Sequence, residues 1–130
     1  MINWAGRLIV FFGAAHTLGA LLVERAAGHA DAWFGGELWH DDLSAMSAAN
    51  SAYWLSLGSF GVPLALVGLT ILWLERRGIA PPSFIPWTLG VLTVIDAMVL
   101  PLTPWPILLV ACGLLLAGSR RAARHEAARA

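Results

Sequence analysis

Long apolar stretches separated by short polar segments dominate the pattern of this chain. The clearest one runs from Asn50 to Leu74, twenty-five residues without a charged side chain. A bilayer core about 30 Å thick is crossed by roughly 20 helical residues. The pattern therefore predicts an all-α membrane protein, a bundle of four transmembrane helices.

The four predicted spans cover about residues 4–23, 51–74, 83–100 and 104–119. The segment Pro101-Leu-Thr-Pro-Trp-Pro106 contains three prolines within six residues, and each of them disfavours a helix. This segment is therefore predicted to be the turn between the last two spans. Pro63 is expected to remove the hydrogen bond to the Ser59 carbonyl and to bend the second helix. Residues 1–118 then form one transmembrane domain, and residues 119–130 an arginine-rich tail that can continue the fourth helix.

Composition supports this prediction by exclusion. Apolar residues make up 58% of the chain, charged residues only 12%, and the formal net charge is +0, with a mean hydropathy of +0.72. Disordered chains are poor in apolar residues, and nucleic-acid binders carry a basic excess. If this chain were a soluble globular protein, its few charged side chains could not cover so much apolar surface. We therefore expect membrane lipids, and no nucleic acid, as partners.

Arginine placement predicts the orientation. An even number of crossings puts seven of the eight arginines on one face: Arg7, Arg76, Arg77, Arg120, Arg121, Arg124 and Arg129. The loop over residues 24–49 is acidic, and Arg25 is its only arginine. By the positive-inside rule both termini are cytoplasmic and this long first loop is extracytoplasmic. The lack of lysine beside many Ala, Gly and Arg is typical of a GC-rich bacterial genome, so we expect a multi-pass protein of the inner membrane.

A cleaved signal peptide is the alternative interpretation of the first apolar segment. The segment Ala30-Asp-Ala32 loosely resembles a cleavage site. Cleavage would leave three spans and would move the C-terminus to the face that the arginines disfavour.

Two ionisable side chains fall inside the predicted spans, where charges are rare and often functional. His16 and Asp96 lie at about the same depth, roughly 18–21 Å above the cytoplasmic interface at 1.5 Å per helical residue. If their helices are neighbours, the carboxylate can accept the imidazole proton. Tyr53, Ser56 and Ser59 recur every three residues, which predicts one shared helical face at the same level. The five side chains predict a polar, outward-facing crevice that binds a small or lipidic ligand.

Each member of this predicted site has a role. His16 and Asp96 would relay charge or a proton, and the three hydroxyl side chains would contact the ligand through hydrogen bonds. We assign no catalytic residue and expect no enzymatic activity, because the serines lack the sequence context of an activated nucleophile.

Two other functions use the same side chains. An intramembrane enzyme would use His16 as general base and Asp96 to orient it. A structural or accessory scaffold would use them only to join helices, through hydrogen bonds worth roughly 0.6–2 kcal/mol each. A deep cavity that touches both side chains would argue against the scaffold.

The first loop carries further candidate side chains. Its possible metal ligands, at spacings that match no zinc pattern, are His29, Glu37, His40, Asp41 and Asp42. We therefore expect no metal and no cofactor. The aromatic side chains of Trp33, Phe34 and Trp39 are predicted to lie in the headgroup layer, as a small lid or interfacial helix.

Small residues four apart indicate close helix packing. The pairs are Ala15 and Gly19, Gly61 and Ala65, and Gly113 and Ala117. Such pairs let membrane helices approach each other, within one chain or in an oligomer. Gly13 and His16 are also expected at packing positions of a retained first helix.

Several motifs resemble a family of small bacterial four-helix membrane proteins of unknown function. They are Gly13-Ala-Ala-His16, Trp33-Phe-Gly-Gly-Glu37-Leu-Trp39, Tyr53-Trp54 with Gly58-Ser-Phe-Gly-Val-Pro63, and Arg77-Gly-Ile-Ala-Pro-Pro82. The resemblance covers about residues 4–118. It implies the four-span fold and carries over no substrate, because no activity is established for the family.

Overall fold

A computed structural model describes residues 1–101 and 103–128, apart from the side chains of residues 125 and 126. Arg129, one of the arginines used to predict the orientation, lies outside the described residues. The six α-helices are α1 (Ile2–Leu18), α2 (Ala30–Phe34), α3 (Ala48–Leu55), α4 (Gly61–Arg76), α5 (Phe84–Val99) and α6 (Trp105–Ala127). No strand occurs in the described ranges, which confirms the all-helical prediction.

Two helices are long and apolar enough to cross a membrane. A π-helix, Gly19–Val23, extends α1, so that Ile2–Val23 spans 22 residues, and Trp105–Arg124 of α6 spans 20 residues. α5 is apolar but has only 16 residues. By length and composition, two of the four predicted spans are helices that could cross a membrane.

The second predicted span is not one continuous helix. α3 ends at Leu55, and α4 begins at Gly61. A proline inside a helix loses a hydrogen bond and clashes with the preceding turn, but it is tolerated in a first turn. Because α4 restarts at Gly61, Pro63 lies in its first turn, and the first bond of that region runs from Leu64 N–H to the Phe60 carbonyl at 2.9 Å. The predicted bend is therefore a break.

The prolines between the last two helices act as predicted. α5 ends at Val99, before Pro101, and α6 starts at Trp105, so that Pro106 occupies its first turn. α6 then continues through the arginine-rich tail to Ala127, as expected for a tail that extends the last helix.

The chain forms two compact units, and the first comprises residues 1–12 and 66–130. Its fully buried side chains include Ile9, Ile71 and Leu115, from α1, α4 and α6. A Cβ atom added at Gly68 of α4 would lie 2.7 Å from the backbone nitrogen of Val10 in α1, so these two helices approach very closely. Both α1 and α5 also pack on α6.

The second unit comprises residues 13–65. A Cβ atom added at Gly13 of α1 would lie 2.8 Å from the backbone nitrogen of Ala65, and one added at Gly61 would lie 2.8 Å from the Gly13 carbonyl. The predicted packing role of Gly61 and Ala65 is confirmed. Gly19, in contrast, has open space around it among the described residues. The same holds for Gly113 in the first unit.

Candidate functional site

His16 lies in the last turn of α1, half-buried in the second unit. Its Nε2 atom is 3.1 Å from the Ser59 hydroxyl oxygen. Its ring also stacks on Phe60, with ring centroids 4.3 Å apart and an interplanar angle of 26°. A hydrogen bond and a stacking partner together fix both the position and the plane of the imidazole.

The hydrogen bonds of Ser59 indicate how the imidazole is protonated. The Ser59 hydroxyl is 2.8 Å from the Ser56 carbonyl oxygen and 3.3 Å from the Gly61 backbone nitrogen. A hydroxyl donates one proton and accepts two. If Ser59 donates to the carbonyl, it accepts from Gly61 N–H and from His16 Nε2–H, and every group is satisfied. In a neutral imidazole this network places the single ring proton on Nε2, so that Nδ1 is left as an acceptor.

The break between α3 and α4 creates this network. Ser56 is fully buried (0% exposed), and its hydroxyl donates to the Ala52 carbonyl at 2.6 Å. The Gly58 N–H donates to the Tyr53 carbonyl at 2.8 Å. Serine hydroxyls compete with the helical ladder in this way, and here they satisfy carbonyls that the end of α3 leaves over. The loop that presents Ser59 and Phe60 is thus a fixed structure.

Gly61 provides the space for the imidazole. A Cβ atom there would collide with the Thr17 hydroxyl and would lie 3.1 Å from His16 Cδ2. Thr17 is buried at 8% exposed, and its hydroxyl has no hydrogen bond partner within the described part of the chain. The residue at position 61 therefore decides whether the end of α1 fits against the loop.

Tyr53 belongs to a neighbouring aromatic cluster. Its ring lies edge-on to Trp33, with centroids 5.9 Å apart. A Cβ atom at Gly58 would approach the Tyr53 ring to 3.0 Å. Trp33 is held in turn by a 2.8 Å bond from its indole N–H to the Ala49 carbonyl. The first loop is therefore tied to α3 through its aromatic side chains.

A family model matches residues 1–122 of this chain, and its description is a family of unknown function, DUF6463. The chain belongs to the DUF6463 family. No curated protein and no solved structure matches it. The resemblance to a family of unknown function is confirmed to that extent, and family membership supplies no activity.

The predicted site of this DUF6463 protein is assembled in part. The structure joins His16 to Ser59 directly and to Ser56 through the Ser59 hydroxyl. The shared helical face predicted for Tyr53, Ser56 and Ser59 is wrong, because only Tyr53 belongs to α3 and the two serines follow it. Asp96 lies near the end of α5, in the first unit, with an exposed side chain. Its pairing with His16 stays a prediction.

Sequence reasoning missed three contributors to the site. Phe60 stacks on the imidazole, Gly61 leaves room for it, and the Thr17 hydroxyl lies beside Gly61; none of the three is among the predicted site residues. A signal for two of them was present, since Gly61-Val-Pro63 is typical of a helix start and places Phe60 just before it.

The carboxylates of the first loop have local partners. Asp41 Oδ2 accepts hydrogen bonds from the Ser47 hydroxyl at 2.9 Å and from the Ser47 N–H at 3.1 Å. These bonds, the side-chain one foremost, hold the pKa of Asp41 below its ordinary value of 3.8. Ser44 lowers the pKa of Asp42 in the same way, its backbone N–H foremost. No group of three or more metal-binding side chains occurs among the described residues.

Proposed function

We propose that this DUF6463 chain is a non-enzymatic protein of the bacterial inner membrane that binds a small or lipidic ligand at His16. The observation that carries the proposal is the fixed imidazole: Nε2 is bonded to Ser59 and the ring is stacked on Phe60. Nδ1 makes no hydrogen bond within the described residues. A fixed nitrogen in an apolar segment is suited to recognising one polar group of a ligand.

The membrane location is supported by the apolar surface of the helices. Only 33% of the most apolar window of Ile2–Val23 and 28% of that of Trp105–Arg124 is buried in the chain. The core helix of a soluble protein hides most of its surface. α5 exposes a row of large apolar side chains: Val91, Leu92, Val94, Ile95, Met98 and Val99. In lipid such a surface is matched, whereas in water it would cause aggregation.

Four spans with both termini in the cytoplasm agree with the arginine-bearing helix ends. Arg7 lies over the Trp4 ring at 5.6 Å, and Arg77 over the Trp73 ring at 4.5 Å. Arginine and tryptophan side chains are typical of the membrane interface, and arginine of its cytoplasmic side. The loop over residues 24–49, with its exposed Trp39, would lie on the outer face as an interfacial lid. The open surface at Gly113 suits contact with lipid or with another copy of the chain.

The chemistry of the site favours binding over catalysis. A serine nucleophile has to give its proton to the histidine, whereas the Ser59 hydroxyl donates to the Ser56 carbonyl in the satisfied network. Neutral His16 accepts a hydrogen bond at Nδ1, and protonated His16 donates one there, so both donor and anionic ligand groups can bind. Tyr53 and Ser56 of the same unit complete the proposed ligand site.

Topology is tested with reporter fusions of the full chain. Fusions at residue 130 and at the N-terminus are expected to report the cytoplasm, and a fusion inserted near Gly36 the opposite compartment. Termini in different compartments, or recovery of the protein in water without detergent, would overturn the membrane proposal.

Ligand binding is tested by native mass spectrometry of the protein extracted from the membrane in mild detergent. Small molecules and lipids that remain bound to the wild type are expected to be lost from His16→Ala. The matched control is His40→Ala, which removes an exposed loop imidazole and should leave the bound species unchanged. The same bound species on all three proteins would contradict the ligand proposal.

A further inference from the structure

A polar pocket lies in the first unit, where the start of α1 and the ends of α4 and α6 meet. Its volume is about 210 Å³, and its lining residues are Met1, Ile2, Glu75, Gly118 and Arg121. The larger groove of this unit, about 440 Å³ between α5 and α6, is lined almost entirely by apolar side chains. One carboxylate and one guanidinium therefore distinguish the smaller pocket.

Glu75 is incompletely satisfied by the chain itself. Its Oε2 atom is buried and has no hydrogen bond partner in the part of the chain that is described. A buried carboxylate oxygen without a donor is costly, because ionised groups lose more hydration than neutral ones. The pocket volume of about 210 Å³ is several times the ~30 Å³ share of one water molecule. The pocket therefore has room for a donor group larger than a single water.

Arg121 contributes a positively charged guanidinium group to the same pocket. Its side chain is exposed, and no ion pair joins it to Glu75 among the described residues. A guanidinium presents several N–H groups in a planar fork, which suits the oxygens of a phosphate. The pocket therefore offers an acceptor for a cation and a donor set for an anion within one small volume.

We propose that this pocket binds a phosphoethanolamine group, the headgroup of phosphatidylethanolamine. The primary ammonium would donate to the Glu75 carboxylate, and the phosphate oxygens would accept from Arg121. The proposal rests on the membrane location proposed above, since the pocket lies at the arginine-bearing helix ends, where lipid headgroups would be found. A choline headgroup has no N–H to donate, and a glycerol headgroup has no cation to pair with Glu75.

The test uses the full chain in detergent micelles doped with defined lipids, read by native mass spectrometry. The lipids are phosphatidylethanolamine, its N-methyl and N,N-dimethyl derivatives, phosphatidylcholine and phosphatidylglycerol. We expect about tenfold stronger retention of phosphatidylethanolamine than of phosphatidylcholine, the ratio that one charge-assisted hydrogen bond produces. Retention should fall most at the third methylation, which removes the last N–H. Equal retention of the whole series overturns the proposal.

Two variants locate the site. Glu75→Gln is expected to reduce the ethanolamine preference to less than about twofold, because a neutral amide is a weaker acceptor for an ammonium group. Arg121→Gln should weaken phosphatidylethanolamine and phosphatidylglycerol alike, since both carry the phosphate. The matched controls are Glu37→Gln and Arg124→Gln, exposed residues that do not line the pocket. A preference that survives Glu75→Gln, lipid retention that is unchanged in Arg121→Gln, or the same effects in the two control variants overturns the proposal.

A competition arm separates the two sources of this chemical group. If soluble phosphoethanolamine displaces the lipid at millimolar concentration, the pocket binds the free compound as well as the headgroup. If it does not displace the lipid, the ligand is the lipid itself. If the protein integrates into membranes but shows no headgroup preference, only this inference fails. If it does not integrate, the proposed membrane function fails first.

Discussion

Two ionisable side chains in apolar helices, His16 and Glu75, differ in the partners that the fold gives them. In the second unit His16 is bonded to Ser59 and stacked on Phe60. In the first unit Glu75 has a buried carboxylate oxygen with no hydrogen bond partner among the described residues. The described part of the chain therefore supplies partners for the imidazole and none for this carboxylate oxygen. Substitution at the two positions should consequently change stability in opposite directions.

The largest effect is expected where the space for His16 is removed. Gly61→Ala brings a Cβ atom onto the Thr17 hydroxyl and to 2.8 Å from the Gly13 carbonyl. We expect a loss of about 3 kcal/mol in the free energy of unfolding in detergent, at the upper end for overpacking, because backbone atoms cannot yield as a flexible side chain does. Chemical denaturation followed by circular dichroism measures it.

Gly113→Ala is the matched control for that substitution. Its added Cβ would meet open space, so the intrinsic preference of helices for alanine should raise stability by about 0.5–1 kcal/mol. Similar losses for both variants would mean that the close approach of Gly13 and Gly61 is not what makes glycine necessary.

His16→Ala is expected to lower the free energy of unfolding by about 2 kcal/mol, through the lost stacking on Phe60 and the lost bond to Ser59. His16→Phe keeps a ring against Phe60 and should recover about half of that loss. Thermal unfolding of the three proteins in the same detergent measures the difference. An unchanged midpoint in His16→Ala would remove the contrast with Glu75.

Glu75→Leu is expected to act in the opposite direction. Glu75 is half-buried, and its Oε2 atom has no hydrogen bond partner among the described residues. Replacing it by an apolar group of similar size should raise stability by about 1 kcal/mol in lipid without ethanolamine headgroups. Glu37→Leu, at an exposed loop position, should change it by less than about 0.5 kcal/mol. A destabilised Glu75→Leu would indicate that the carboxylate already has a partner, Arg121 first of all.

Apolar runs and proline placement predicted the helical class, the turn at Pro101–Pro106 and the helical tail. They did not predict the break between α3 and α4. Uncharged residues continue from Asn50 to Leu74, and hydropathy does not register where backbone carbonyls are capped by serine hydroxyls. The spacing of Tyr53, Ser56 and Ser59 gave a helical face only under the assumption that the helix continued.

Sequence patterns mark a residue where its type is rare among its neighbours. His16 stands out because a charge in an apolar run is expensive, and Ser59 because it lies in a polar cluster of the next segment. The two side chains are in contact, and their role as a ligand site stays a prediction. Phe60 and Gly61 resemble their apolar neighbours, so that only three-dimensional contact identifies them. Glu75 has no such signal, because it precedes Arg76 and Arg77 at the end of a predicted span, where charged side chains are expected.

The smallest expected effect concerns a carboxylate that the chain satisfies at the surface. Ser47 accepts from the Asn50 N–H at 3.1 Å, capping α3, and donates to Asp41 at 2.9 Å. Because hydrogen bonds from Ser47 depress the pKa of Asp41 in the folded state, the ionised form is the stabilising one. This contribution is fully present above the ordinary pKa of 3.8 and is lost as the pH falls through the lower folded value.

Acidification from pH 6 to pH 3 should therefore loosen the start of α3 while the rest of the helix stays protected. Hydrogen exchange by mass spectrometry, corrected for the intrinsic pH dependence of exchange, measures this over residues 47–52. Asp41→Asn should abolish the pH dependence of that segment, and Asp42→Asn should leave it, because Asp42 bonds to Ser44 and not to the cap. Ser47→Ala removes the cap at every pH and should cost about 1 kcal/mol in the stability of α3. Persistent pH dependence in Asp41→Asn would assign the acid effect to another carboxylate.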